Sequence, residues 1–154
     1  MLGVVIPAHN EEEHLGACLN AVRASAGCAA LHGEPVTVIV VLDACTDRSA
    51  AIAGAPDVTV VAIDARNVGL ARAKGAAEAL RQGARWLAFT DADSCVAEDW
   101  LAAQLRERGD AVCGTVQIAS WADHHERVQR HHERHYQDRD GHRHVHGANL
   151  GVAA

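Results

Sequence analysis

The sequence predicts an α/β domain built on a mostly parallel sheet flanked by helices. Short β-rich runs alternate with stretches of helical periodicity, the pattern of successive βαβ units. Two of those runs, Val-Thr-Val-Ile-Val-Val-Leu and Val-Thr-Val-Val-Ala-Ile, are nearly continuous and β-branched, as strands covered on both faces must be. The length of 154 residues suffices for one core and not for two, so residues 1–154 are expected to form a single domain.

In order, the strands fall at 2–6, 36–42, 58–63, 86–90 and 111–118. Helical spacing of apolar residues occupies 12–24, 48–53, 70–82 and 97–108. Gly33, Gly54, Pro56, Gly83 and Gly109 punctuate the transitions. No internal repeat or low-complexity linker interrupts the series. From Trp121 the chain turns polar and histidine-rich, then becomes apolar again at 145–154.

Hydrophobic residues make up 49% of the chain but aromatics only 3%, and Ala supplies about a fifth, which implies helices packed closely through small side chains. A net charge of −6 argues against a chain that coats nucleic acid or anionic membrane. The five cysteines form no C-x-x-C pair and their odd number cannot close fully into disulfides. With no basic leader before the short apolar start and no apolar run of membrane-spanning length, a reducing, cytoplasmic location is expected. The Ala- and Arg-rich composition suggests a bacterial source.

An open parallel sheet binds ligands beyond the carboxyl ends of its strands. The first run is followed by Pro7, Ala8, His9, Asn10 and Glu11 to Glu13, the second by Asp43, Thr46 and Asp47, the third by Asp64, Arg66, Asn67 and Gly69, and the fourth by Asp91, Ala92, Asp93 and Ser94. All four clusters should meet at one sheet edge. Asp91 and Asp93 form a D-x-D, which suits a divalent cation completed by substrate phosphates. An isolated D-x-D is as readily a helix cap or a solvated turn, but its place directly after a buried strand favours the metal. Neither G-x-G-x-x-G nor G-x-x-x-x-G-K-[ST] is present, so a diphosphate must be met otherwise. The single lysine, Lys74, with Arg72 nearby on the helix after Asn67, would supply a cation beside a helix N-terminus.

Together these segments resemble the N-terminal half of an inverting family 2 glycosyltransferase of the GT-A (Rossmann-like) fold. The matching pieces are Val-Val-Ile-Pro-Ala-His-Asn-Glu at 4–11, Val-Val-Leu-Asp at 40–43 with Thr46 and Asp47, Asn-Val-Gly-Leu-Ala-Arg-Ala-Lys-Gly at 67–75, and Phe-Thr-Asp-Ala-Asp at 89–93. The likeness covers about residues 2–120, and Gly147, Ala148 and Asn149 resemble a further sugar-side motif.

What the resemblance implies is a metal-dependent transfer of a sugar, with inversion, from a nucleoside-diphosphate sugar of UDP or GDP type to an acceptor. Residues 1–120 would bind the donor, 121–146 would lie on the acceptor side, and 147–154 would open a further element. Pro7, Ala8, His9 and Glu11 would surround base and ribose, with His9 where the family often has an aromatic, and Asp43 would hydrogen-bond the base. Asn67, Gly69 and Lys74 would follow ribose and diphosphate. Asp91 would meet the ribose or the metal's hydration shell, and Asp93 would ligate Mn²⁺ or Mg²⁺, with His146 the best candidate for a third ligand. Gly147, Ala148, Asn149 and Trp121 belong to the sugar and acceptor side. The family's general base is expected beyond Ala154, and within the chain only Asp123, Glu126 or a neighbour in the histidine-rich segment would substitute. Without that base, a donor and metal-binding module is the alternative function. A phosphatase-like enzyme using Asp91 as nucleophile ranks below both. An apolar face or open edge left by absent C-terminal parts would favour a homodimer.

Eight of the eleven histidines lie between His124 and His146. On a helix over 122–137, His131 and His135 share a face and would make a two-ligand metal site, while His142, His144 and His146 alternate as on one side of a strand. The interleaved Arg, Asp and Glu residues equally describe a solvated, ion-paired surface.

Overall fold

The computed structural model describes residues 1–122 and 124–154. Six strands form one sheet: β1 (Leu2–Ala8), β2 (Val36–Asp43), β3 (Val58–Ile63), β4 (Trp86–Phe89), β5 (Ala111–Cys113) and β6 (Leu150–Ala153), in the order β3-β2-β1-β4-β6-β5. β3, β2, β1 and β4 pair in parallel, while β6 runs antiparallel between β4 and β5. The helices are α1 (Leu15–Ala26), α2 (Ser49–Ala53), α3 (Val68–Arg81), α4 (Trp100–Arg106) and α5 (Glu126–His135).

All seven residues of β1 are buried, and their alternation divides the core. Leu2, Val4 and Ile6 pack with Leu15, Leu19 and Val22 of α1 and Leu101 of α4, whereas Val5 faces Ile39, Val41, Ala71 and Ala79 on the side of α3. The stripe Ala71, Gly75 and Ala79 lets α3 lie close on the sheet: a Cβ at Gly75 would collide with Val5 and press on Val41. This is where the alanine-rich composition is used.

Three C-terminal elements differ from the sequence expectation. The strand expected over 111–118 ends at Cys113, because the Gly114 N–H turns to the Asn149 carbonyl (2.9 Å) and the Val116 N–H donates to the Tyr136 hydroxyl (2.6 Å). The helix expected over 122–137 is limited to Glu126–His135, capped where the His125 ring accepts from the Arg127 N–H at 3.1 Å. β6 was not among the expected strands: four residues, Leu-Gly-Val-Ala, are too few to carry a period of their own, and they pair because β4 and β5 leave a slot for them. No helix among the described residues is long and apolar enough to cross a membrane.

Candidate nucleotide-sugar site

At the carboxyl edge of β1, β2 and β4, a cleft of about 570 Å³ is lined by the loops that follow these strands and β3. Pro7, Ala8, His9, Glu11, Asp43, Asn67, Asp91 and Asp93, eight residues singled out from the sequence, all line it, joined by Arg66, Val68, Ala71 and Ala92.

The loops after β1 and β2 are stitched together by side chains. The His9 Nδ1–H donates to the Asp43 carbonyl (2.6 Å), the Glu11 N–H to Ser49 Oγ (2.8 Å), the Glu12 N–H to Asp47 Oδ2 (2.9 Å) and the Thr46 N–H to Asn10 Oδ1 (2.8 Å). The Cys45 thiol donates to the Ala8 carbonyl at 3.3 Å. Backbone groups beyond the strand ends have no ladder partner, and these short polar side chains supply one.

Asp43 anchors the third loop. It is 4% exposed, its Oδ1 accepts from the N–H groups of Ala65 (2.7 Å) and Arg66 (2.8 Å), and its Oδ2 accepts from Asn67 (2.7 Å). Burial opposes its ionisation, but the N–H donors of Ala65, Asn67 and Arg66, with His9 nearby, outweigh it and hold the acid below its ordinary range. Asn67 then caps α3, its Oδ1 accepting from the Leu70 N–H at 2.9 Å. Asn10, Ala44 and Arg66, one in each of the first three loops, adopt positive φ of 57°, 52° and 48°. Such strain at non-glycine positions concentrates where a site must be held in shape.

On the far wall, Asp91 Oδ1 pairs with Arg72 at 2.5 Å, both side chains being partly buried. Asp93 Oδ1 accepts from Ser94 Oγ at 3.3 Å. The Cys18 thiol donates to the Asp91 carbonyl at 3.4 Å and, pushed up to about 12 by burial and then by Cys95, Asp93 and Asp91, stays protonated.

A profile of glycosyl transferase family 2 matches residues 3–152. The chain belongs to this family. Among solved structures it is similar to residues 1–349 of S. aureus TarS, with 21% identity over 77% of this chain and 36% of that one and a TM-score of 0.60. The mannosyltransferase PcManGT from Pyrobaculum calidifontis, solved with GDP-Man and Mn²⁺, has 21% identity over 99% of this chain and 44% of its own, with a TM-score of 0.63. Glucosyl-3-phosphoglycerate synthase from Mycobacterium tuberculosis, solved with Mn²⁺, UDP-glucose and phosphoglyceric acid, has 17% identity over 99% of this chain and 56% of that one, with a TM-score of 0.60. The chain therefore has the GT-A fold of these transferases while spanning between 36% and 56% of their lengths. A search of curated proteins gave no match. Family membership sets aside the phosphatase-like reading of the D-x-D.

Several residues expected at the glycosyltransferase site stand elsewhere. Lys74 is exposed on α3 and does not line the cleft, whose cations are Arg66 in the lining and Arg72 on Asp91. Residues two apart on a helix point about 200° apart, so Arg72 and Lys74 cannot serve one site. The helical period, applied inside the 67–75 motif, would have favoured Arg72. Gly69 lies in the first turn of α3, where a Cβ would sit 3.3 Å from the capping oxygen of Asn67.

The Gly147, Ala148, Asn149 turn has a structural share. A Cβ at Gly147 would collide with the Arg72 guanidinium, so the glycine makes room for the partner of Asp91. Asn149 faces away from the cleft: its Oδ1 accepts from Trp100 Nε1 (2.8 Å), and its Nδ2 donates to the Thr115 carbonyl (2.9 Å). Those bonds tie the turn to α4 and to the end of β5.

Among the described residues no three His, Cys, Asp or Glu side chains converge as metal ligands, so His146 is not gathered with Asp91 and Asp93. Its Nε2 lies 3.2 Å from the Tyr136 hydroxyl, and the rings of His132, Tyr136 and His144 stack at successive centroid distances of 4.5 Å. His142, His144 and His146 do share one side, with ring centroids 5.4 Å apart, but on irregular chain rather than a strand. His131 and His135 also stack, at 4.2 Å. Trp121 packs on His132 and lines a separate cavity of about 350 Å³ with Val116, Ile118, Glu133, Tyr136 and Asp138. Glu126 is exposed and pairs with Arg130 at 3.2 Å, and Asp123 lies outside the described residues.

Proposed function

We propose that the cleft binds a nucleoside-diphosphate sugar of UDP or GDP type beside Mn²⁺ or Mg²⁺, and that the enzyme transfers the sugar with inversion to an acceptor approaching from residues 121–146. The observation that carries this reading is the convergence in one cleft of the Pro7-to-Glu11 loop, Asp43, Asn67 and the Asp91–Asp93 pair. Family membership supports the reaction class. That TarS was also solved with UDP-GlcNAc, PcManGT with GDP-Man and Mn²⁺, and the M. tuberculosis synthase with Mn²⁺ and UDP-glucose supports the donor class and the metal.

The donor set fits a hard cation. Asp91 and Asp93 offer carboxylate oxygens only, and Mg²⁺ or Mn²⁺ held by one or two carboxylates takes its remaining ligands from water and phosphate. Asp93 is the principal ligand in this reading, with Asp91 beside it. When bound, the cation offsets charge gathering on the leaving nucleoside diphosphate. The chain's own residues prepare the rest. Arg72 fixes the Asp91 carboxylate and balances its charge, the first turn of α3 directs N–H groups toward the cleft rim, and His9, held by the Asp43 carbonyl, offers a ring to the base. The cavity beside Trp121 is the proposed acceptor side, and the five free cysteines accord with a reducing, cytoplasmic setting.

Calorimetry with UDP and GDP, with and without Mn²⁺, tests the reading. Binding is expected to strengthen with metal, and Asp93→Ala to remove most of that gain. Equal binding with and without metal overturns the role of Asp93. Product-verified sugar transfer by this 154-residue chain would separate a transferase from a module that holds the donor without turnover.

A further inference from the structure

The histidines of the C-terminal segment differ in how their ring nitrogens are employed. His125 Nδ1 accepts from the Arg127 N–H, His142 Nδ1 from the His144 N–H and His144 Nε2 from the Gln137 N–H, each at 3.1 Å, while His146 Nε2 faces the Tyr136 hydroxyl. A neutral imidazole has a single lone pair to give. In these rings it is already turned to a donor of the chain itself. His131 and His135, both exposed on α5, are different.

His135 Nδ1 lies 2.7 Å from the His131 carbonyl, which can only accept, so the neutral ring carries its proton on Nδ1 and its lone pair on Nε2. That bond is the outer-shell partner that metal-binding imidazoles ordinarily have, and it fixes both tautomer and ring direction. Among the described residues no hydrogen bond engages the His131 ring, which meets His135 through its face. Four residues apart on one helix, the two rings stack at a centroid distance of 4.2 Å with 26° between their planes. Two nitrogens on one tetrahedral Zn²⁺ lie roughly 3.3 Å apart, from Zn–N bonds of about 2.0–2.1 Å. The ring spacing is thus within about 1 Å of what a shared ion needs.

We propose that His131 and His135 hold a divalent transition-metal ion such as Zn²⁺ as a clamp across one turn of α5, at a site separate from the D-x-D. The donor set chooses the ion: neutral imidazoles suit Zn²⁺, Ni²⁺ or Cu²⁺, whereas the carboxylates of Asp91 and Asp93 suit Mg²⁺ or Mn²⁺. No third His, Cys, Asp or Glu side chain converges there among the described residues, so water completes the coordination. The helix has a use for such an ion. α5 is ten residues long with none buried, shorter than helices that persist alone in water, and its side-chain ties are surface pairs such as Glu126 with Arg130. A metal joining His131 to His135 holds the turn between them without needing a buried face.

Calorimetry and amide exchange on the whole chain at about pH 7.5, where free imidazole is mostly unprotonated, test the clamp with Zn²⁺ as the probe. Stoichiometric Zn²⁺ binding is expected, at least about tenfold weaker in His131→Ala and in His135→Ala and unchanged in His142→Ala and in Asp93→Ala. At free Zn²⁺ about a hundredfold above the dissociation constant, exchange over 126–135 should slow by about ten- to a hundredfold in the unaltered chain. The same Zn²⁺ should leave exchange unaffected in the two α5 variants, whose exposed positions give up no buried contact. Absence of Zn²⁺ binding overturns the inference, as does undiminished binding in either His131→Ala or His135→Ala. Loss of the site in Asp93→Ala overturns it by placing the ion in the cleft, and loss in His142→Ala by placing it on the 142–146 stretch. Binding through both rings with no slowing over 126–135 overturns the clamp.

Discussion

The sheet and the histidine-rich segment are held by different forces. In β1 every side chain is buried, whereas the ten residues of α5 include none. The donor-side loops grow from a core of Val, Ile, Leu and Ala, so their positions are fixed by close packing. Residues 114–122 and 124–146 are held by stacked imidazoles, the Tyr136 hydroxyl and carboxylates such as Asp138, which binds Thr115 and Gln117. Each such contact is worth about 1 kcal/mol net in water. The comparison teaches that the donor side is built before its ligand arrives, while the other side opens at lower cost.

The sharpest way to break this contrast is to truncate a β-branched side chain to alanine in each region. Ile39→Ala, at a fully buried position on β2, should cost about 2–5 kcal/mol in urea unfolding. Val128→Ala, at a 52% exposed position on α5, should stay within about 0.5 kcal/mol. Similar losses at the two positions would mean that α5 has a buried face after all.

Next in size is Asp43→Ala. It removes the acceptor shared by three N–H groups of the 65–67 loop, so the melting temperature should fall by several degrees and UDP binding should be lost. Asp43→Asn should recover part of the stability, because the amide oxygen still accepts, without restoring the ionised acceptor. Full binding in Asp43→Ala would mean that the loop holds its shape without the carboxylate.

The same contrast explains what was legible in the sequence. β1 and β2 were readable because β-branched runs buried on both faces leave a local signature; β3 carries such a run too, but at the sheet edge with Val60 exposed, so the expected cover on both faces is not met there, and β4 is a short buried run without β-branching. The D-x-D and the 4–11 segment were readable because strand ends place them together. β6 and the short β5 carry too few residues for a period, and their pairing depends on Asn149 and Tyr136, distant partners with no local mark. Lys74 drew attention as the only lysine, yet the cation that reaches Asp91 is set by helical phase and by the space left at Gly147. Arg66 was named only as one of the polar residues after the third strand; its positive φ is not something composition reveals.

A smaller effect is expected from Tyr136→Phe. The hydroxyl accepts from the Val116 N–H at 2.6 Å and faces His146 Nε2, so its loss should cost about 0.5–1.5 kcal/mol. The cost should appear as faster amide exchange over 114–146 with unchanged protection in β1 and β2. Equal loss of protection in both regions would show that the segment and the sheet unfold as one unit.

The smallest effect is a pH dependence confined to the same segment. The Tyr136 hydroxyl, which accepts from the Val116 N–H, lies 3.2 Å from His146 Nε2 and can give its own proton to that nitrogen only while the ring is neutral. Burial, followed by repulsion from His144 and His142, keeps the His146 pKa below its ordinary value. The loosened segment, whose imidazole has the ordinary value of about 6.5, therefore binds the proton first as the pH falls. Docking is fully present above that value and is lost progressively toward the lower, docked-state pKa. Asp138, drawn below its ordinary range by Thr115 and then Gln117, stays ionised throughout this window. On the sheet, Glu34 is drawn down to about 2, chiefly by its bond to Arg85, and keeps its charge as well. Amide exchange corrected for intrinsic rates should thus quicken over 114–146 between about pH 7.5 and about pH 5.5 while β1 and β2 hold steady. His146→Gln should flatten the dependence, and an unaltered slope in that variant would show that His146 is not its source.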